Sequence, residues 1–532
     1  MERFGAWKLA LRNWQREAFD AWWSEQPRDA LVVATPGAGK TRFAARLAHA
    51  VLSHGRVRRI LVVVPREHLK AQTAIAMAQA GIRVDHRFEN AAGALAPDVH
   101  GAAVTYAQIA SAPHLYKRLT HAPTLVVLDE IHHAGDGATW GTALKDAFAG
   151  AVHRISLSGT PFRSDGSAIP FVTYERGECI PDFSYDYAAA LKDGVCRPLV
   201  FPLQGGYAQW VSKNGELHAA SFDQALASKS RMSERLRTVL VHEAWIGDVI
   251  AKAHERLLGL RKTEHANAGA LAIAMNQDHA RFLAGLIEER TGFEPTVVLS
   301  DEDGASRKIA AYARSDEPWI VAVHMVSEGV DIPRLRVGVY GSNVVTEMYF
   351  RQFCGRFVRA QRCGKQHAYV YLPDDSRLRE LAGRVTADVR GVLHTAVDGD
   401  DLQIAQRERR EPDEDGSRFQ AIAANIDGER VLDYGPLFNP NAYLLQPSEA
   451  QPEPEPELEP VLSIGEEKDL LRRSLATLVS QVSTRFRVEH KKIHATLNRQ
   501  FGGPLSRATV EGLRKRREVA LRWLDRGYDG LS

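Results

Sequence analysis

At 532 residues the chain is too long for one hydrophobic core, and at about 150 residues per domain it predicts three or four units. Hydrophobic residues make up 44% and charged residues 25%, the balance of a globular protein, and no apolar run approaches the roughly 20 residues that span a bilayer. The net charge of +2 excludes a whole-chain field for polyanions, so any basic surface has to be local. The opening residues, Met1-Glu-Arg-Phe-Gly-Ala-Trp-Lys8, lack the apolar stretch and cleavage site of a secretory leader, which predicts a cytoplasmic protein. The four cysteines are scattered without a C-x-x-C pair and are expected to be reduced and structural.

Residues 14–23 read as an amphipathic helix rich in aromatics. Just inside its start, Gln15 carries a carboxamide that matches the adenine N6 and N7 edge, and Arg12 is suited to stack on or bracket the base. The aromatics equally suit packing on the first domain, and both readings are compatible. Residues 30–34 form an apolar strand run that enters Ala34-Thr35-Pro36-Gly37-Ala38-Gly39-Lys40-Thr41, and residues 42–52 have helical periodicity. A strand, a glycine-rich loop and a helix N-terminus together make a phosphate cradle, with Lys40 reaching the β- and γ-phosphates and Thr41 ligating Mg2+. Ala34 stands where the first glycine of the general pattern usually does.

Strand-type runs at 60–64 and 102–104 end in Pro65-Arg66 and Thr105-Tyr106, each at a C-terminal strand end of the expected sheet. A further apolar run at 124–128 ends in Asp129-Glu130. Asp129 suits a magnesium carboxylate, and Glu130 suits orienting and deprotonating an attacking water. The adjacent His132 and His133 have no cysteine nearby, so His132 is read as a relay to Ser158-Gly-Thr160-Pro161, whose hydroxyls suit sensing the nucleotide.

Residues 201–267 are less legible. The βα alternation resumes with apolar runs at 269–275, 296–299 and 319–323, without a second phosphate loop. Gly329-Val-Asp331 is expected to face the ribose and the attacking water. In Gln352-Phe-Cys-Gly355-Arg356-Phe-Val-Arg359, Arg356 and Arg359 are expected on one helix face at i, i+3, aimed at the γ-phosphate of the first domain's nucleotide. Alternating proline and glutamate at 451–460 read as an extended spacer. Beyond it lies a basic unit with about fifteen Lys and Arg against about eight Asp and Glu, in which helical stretches at 466–485 and 509–526 flank Gly502-Gly503-Pro504. Lys491-Lys492 and Arg514-Lys-Arg-Arg517 are its candidate phosphate contacts.

On these motifs the chain resembles superfamily 2 helicases of the DExH branch over roughly residues 8–373. Residues 34–41 resemble motif I, where an alanine start is common. Residues 129–132 resemble motif II, 158–161 motif III, 327–333 motif V and 352–359 motif VI, with Gln352 among the coupling residues. Residues 11–18 resemble the adenine-reading segment of type III restriction and DNA-repair helicases. The resemblance implies an α/β protein of two tandem RecA-like domains with parallel sheets that close on ATP, Mg2+ and one nucleic-acid strand. It also implies phosphate contacts at Pro65, Arg66, Thr105 and Tyr106, and favours DNA over RNA. The expected domains are 1–200 and 201–375, followed by an accessory region 376–446, a linker 447–461 and a helical module 462–532. The implied activity is that of an ATP-dependent DNA helicase or translocase, with an RNA helicase or a nucleic-acid-stimulated ATPase that does not unwind as alternatives.

Overall fold

A computed structural model describes residues 5–135, 140–159, 169–176, 178–212, 214–226, 228–299, 305–323, 332–359, 367–387, 420–426, 429–431, 462–505 and 508–528. The first half runs α1 (Asn13–Glu25), β1 (Asp29–Ala34), α2 (Lys40–Ser53), β2 (Arg59–Val64), α3 (Glu67–Gln79), β3 (Val84–Asp85), β4 (Gly101–Thr105), α4 (Tyr106–Ser111), β5 (Thr124–Asp129) and β6 (His153–Ser158). Its sheet has the order β3-β4-β2-β5-β6-β1, continued by Phe183–Tyr185, and every pairing is parallel. Both faces are covered. Ile60, Val62 and Val64 of β2 enter one core cluster, while Leu61 and Val63 enter the other. Two-sided burial of this kind is why these strands read as unbroken apolar runs.

The strand order builds the site. β5 and β6 insert between β2 and β1, so Val33 pairs with Ser158 and Asp129 with Leu157. The loop after β1, the end of β6 and the end of β5 therefore lie side by side at one edge, where parallel sheets gather ligands.

The second sheet is built on Gly269–Ala274, Thr296–Val298, Trp319–Val323, Leu335–Gly341 and Ala368–Pro373, again in parallel. Its far edge is finished by Pro202–Gln204, which pairs in parallel with Ala368–Pro373, and by Glu429–Val431, which is antiparallel. Gln420–Asn425 closes a small antiparallel sheet with Tyr207–Val211 and Leu217–Ser221. Two strands from the stretch 376–446 thus join strands from the stretch 201–375. The charged run 407–415 and the spacer 451–460 lie outside the described residues.

The C-terminal module contains three described helices, Ile464–Phe486, His490–Gln500 and Val510–Arg526. The middle one escapes a sequence reading dominated by its Lys and His residues, although Ile493 and Leu497 bury at i, i+4. The module docks on the loop that follows β3. Asp98 accepts from the buried Lys468 ammonium at 3.0 Å and from the Val510 N–H at 2.8 Å, and Arg87 pairs with Asp469 at 2.7 Å. Gly465 packs against His86, whose ring a Cβ at this position would overlap. The basic run 514–517 is largely spent internally. Arg514 pairs with Glu467, Lys515 with Glu511, and the buried Arg516 donates to the Gly503 carbonyl. Among the described residues no helix is long and apolar enough to cross a membrane.

Candidate nucleotide site

The loop between β1 and α2 turns on two glycines in the left-handed region, Gly37 at φ 81° and Gly39 at φ 92°. Side chains from the start of α1 hold its carbonyls. Arg12 Nη1 donates to Gly37 O at 2.9 Å and to Ala38 O at 2.6 Å, Trp14 Nε1 to Ala38 O at 3.1 Å, and Gln15 Nε2 to Gly39 O at 2.9 Å. With the carbonyls pinned on that side, the N–H groups at the start of α2 are left for an anion. Gln15 is 1% exposed, and its Oε1 accepts from the Arg12 N–H. Both side chains thus hold the loop, at the place where they are expected to meet the adenine.

Lys40 opens α2, with Nζ 3.2 Å from Ala34 O and 3.0 Å from Glu130 Oε1. Asp129 and Glu130 stand at the end of β5, with Glu130 at φ 49°, a strained value for a residue with a Cβ. Burial and the neighbouring Glu130 carboxylate push the Asp129 carboxyl up to about 7. Burial also works against the Glu130 carboxylate, but Lys40 and His132 outweigh it and hold its carboxyl down at about 2.

Glu130 Oε2 accepts from the Gly159 N–H at 3.3 Å and lies 3.6 Å from His132 Nδ1. His132 Nδ1 is 3.0 Å from Ser158 Oγ, and its Nε2 is 3.4 Å from Gln352 Nε2 of the second half. The four residues form a chain from one half to the other. His133 is buried, its ring tilted at 43° against that of His132 with centroids 4.3 Å apart.

The segment after the helix Glu347–Cys354 meets the phosphate loop directly. A Cβ at Gly355 would lie 2.9 Å from Pro36 Cβ and Cγ, and one at Gly159 would lie 3.3 Å from Pro36 Cδ. Pro36 is thus clasped between two glycines, one from each half. Arg359 rests on Gly37, where a Cβ would come within 3.0 Å of its Cγ. Burial, with Arg12 nearby, lowers Arg359 to about 10.

The expectation that Arg356 and Arg359 share a helix face is corrected here. The helix ends at Cys354, Arg356 sits in a turn, and Arg359 forms an antiparallel bridge with Cys196 of the connecting segment. The Arg197 N–H donates to Val358 O at 2.6 Å, which draws this stretch into an extended conformation. Cys196, raised to about 12 by burial, contacts Pro36 O through Sγ at 3.8 Å.

Pro65 and Arg66 follow β2, with Arg66 exposed. Thr105 and Tyr106 lie differently. The Thr105 hydroxyl caps α4 by accepting from the Gln108 N–H, and Tyr106 is 1% exposed with its hydroxyl donating to Asp129 O at 2.9 Å. The Tyr106 ring is core, which leaves the backbone of this segment at the strand end. Thr41 lies in the first turn of α2. Thr160, Gly329 and Asp331 lie outside the described residues. The close approach at Gly355 is invisible in sequence, since a glycine beside an arginine carries no mark of the proline it will meet.

Residues 8–163 match the family model of the type III restriction enzyme res subunit. An uncharacterized protein of Mycobacterium tuberculosis is 39% identical, over 97% of this chain and 93% of its own length. A second uncharacterized protein, from Mycobacterium leprae, is 36% identical over 97% and 94%. Among solved structures, a fragment of a putative HsdR subunit of a type I restriction enzyme from Vibrio vulnificus YJ016 aligns at 16% identity and a TM-score of 0.48, covering 71% of this chain and 67% of that one.

Proposed function

Given that the chain belongs to the superfamily 2 helicases, in one family with mycobacterial proteins matched over nearly its whole length, we propose that it is an ATP-dependent DNA helicase or translocase. The observation that carries this reading is the clasp of Pro36 between Gly159 and Gly355, which sets the arginine segment of one half against the phosphate loop of the other. Hydrolysis at such a joint makes each turnover open and close the two halves, which is what a motor needs.

In this reading the loop 35–39 and the start of α2 bind the phosphates of ATP. Incoming phosphate draws Lys40 away from Glu130, and the freed carboxylate then orients and deprotonates the attacking water. Arg356 and Arg359 neutralise charge that develops on the transferring phosphoryl group, a contribution of ~10³ to 10⁵ in rate where such arginines act. The hydroxyl of Thr41 and the carboxylate of Asp129 are the hard oxygen donors that suit magnesium, which when bound neutralises phosphate charge. His132, Ser158 and Gln352 connect the carboxylate to the second half.

The match of residues 8–163 to a restriction-enzyme motor favours DNA over RNA. Arg66 and the backbone around Thr105 are the phosphate contacts, at strand ends beside the hydrolytic carboxylates. Steady-state ATP hydrolysis with single-stranded DNA, duplex DNA and RNA, alongside strand displacement on short substrates, tests the assignment. Strong stimulation by DNA supports it. Stimulation by RNA alone would make the chain an RNA helicase, and stimulation without strand separation or movement would leave a remodelling ATPase.

A further inference from the structure

Tyr106 is the first residue of α4, and its ring packs in the same core cluster as Val63, Val104, Leu128 and Ile131. Its hydroxyl reaches across the end of β2 to the Asp129 carbonyl at 2.9 Å, since β2 lies between β4 and β5 in the sheet. That carbonyl belongs to the planar peptide joining Asp129 to Glu130. Rotation of this unit changes ψ of Asp129 and φ of Glu130 together, and φ of Glu130 is the strained 49°. This planar unit is thus held on its oxygen side by Tyr106, and its orientation sets where the Glu130 side chain departs.

We propose that Tyr106 is a positioning residue for hydrolysis: its phenol locks the 129–130 peptide in the orientation that aims Glu130, and ties that peptide to the end of β4 where Thr105 caps α4. A left-handed backbone persists only where the surroundings over-determine it, and here the Tyr106 hydroxyl on Asp129 O joins Lys40 and the Gly159 N–H on the Glu130 carboxylate and the His133 N–H on Glu130 O. The neighbouring Tyr116 is a matched reference. It is fully buried in the same cluster, and its hydroxyl donates to Asn90 Oδ1 at 2.6 Å, but it does not touch the 129–130 peptide.

The inference rests on the hydrolytic role proposed for Glu130, so the test pairs turnover with a readout that needs none. In ATP hydrolysis with saturating single-stranded DNA, Tyr106→Phe should lower kcat about tenfold and leave KM for ATP within about twofold, while Tyr116→Phe leaves both within about twofold. Hydrogen exchange at the Glu130 amide should accelerate about tenfold in Tyr106→Phe and stay at the wild-type rate in Tyr116→Phe. A wild-type kcat and exchange rate in Tyr106→Phe, or equal losses in both variants, would overturn the inference. A wild-type protein that does not hydrolyse ATP would count against the functional reading, while exchange would still decide whether the brace exists.

Discussion

Gly355 separates conformational from interfacial causes better than any other residue in the site. Its backbone is helical, at φ −57° and ψ −18°, a conformation alanine adopts readily, and within its own segment the new Cβ meets only the Arg351 carbonyl, at 3.2 Å. What alanine cannot fit is the approach of Pro36 at 2.9 Å from the new Cβ. Gly355→Ala is therefore expected to keep its melting temperature and its affinity for ATP within about twofold, yet lose about tenfold in kcat, because the halves can no longer close fully. Steady-state kinetics beside a nucleotide-binding titration checks this, and an unchanged kcat would mean that the clasp on Pro36 does not matter for turnover. Residue chemistry was readable where the side chain itself carries the reason. Lys40 and Glu130, 3.0 Å apart, and the line from His132 to Ser158 are such cases. It is unreadable where the reason is a partner far along the chain: no spacing shows that Gln15 and Arg12 also hold the loop 24 to 26 residues away.

At the scale of elements, legibility followed burial. The parallel strands of both sheets are covered on both faces and announce themselves as apolar runs, whereas Tyr207–Val211 alternates buried with half-buried residues and finds one of its partners at Gln420–Asn425. No local pattern joins strands about two hundred residues apart. The helix Gln277–Thr291, which packs beside Gly269–Ala274, carries an element-level pH dependence. Its His279 is 5% exposed, with Nε2 on Leu240 O at 2.9 Å and Nδ1 accepting from the Met275 N–H at 3.2 Å, and burial lowers it to about 4. The folded protein thus holds a neutral imidazole, while the unfolded chain takes up a proton near 6.5. Stability from this site is present above 6.5 and is lost as pH falls towards 4. Between pH 7 and pH 5 the loss should be about 2 kcal/mol. Urea unfolding of His279→Asn at both pH values should show a pH dependence smaller by that amount, and an undiminished dependence would mean that other groups carry it.

For the whole molecule, the alternating proline and glutamate before residue 462 suggested a detached module, but the C-terminal helices are fixed to the first half. Asp98 anchors them through Lys468 and the start of the last helix, a contact across 370 residues that no spacing reveals. Removing Asp98 strands the buried Lys468 ammonium without its partner. Asp98→Ala should consequently speed amide exchange in Ile464–Phe486 and leave the second sheet untouched; exchange rates equal to wild type would show the anchor to be idle.

The claim that organises the molecule is that ATP is hydrolysed where the two halves meet, with Glu130 handling the water and nucleic acid governing the rate. The most direct measurement is the ATPase rate with and without single-stranded DNA for wild type and Glu130→Gln. Wild type should be strongly stimulated by DNA, and the variant should lose at least about a hundredfold in rate with DNA present while still binding ATP. A rate indifferent to DNA, or a variant that turns over within about twofold of wild type, would contradict it.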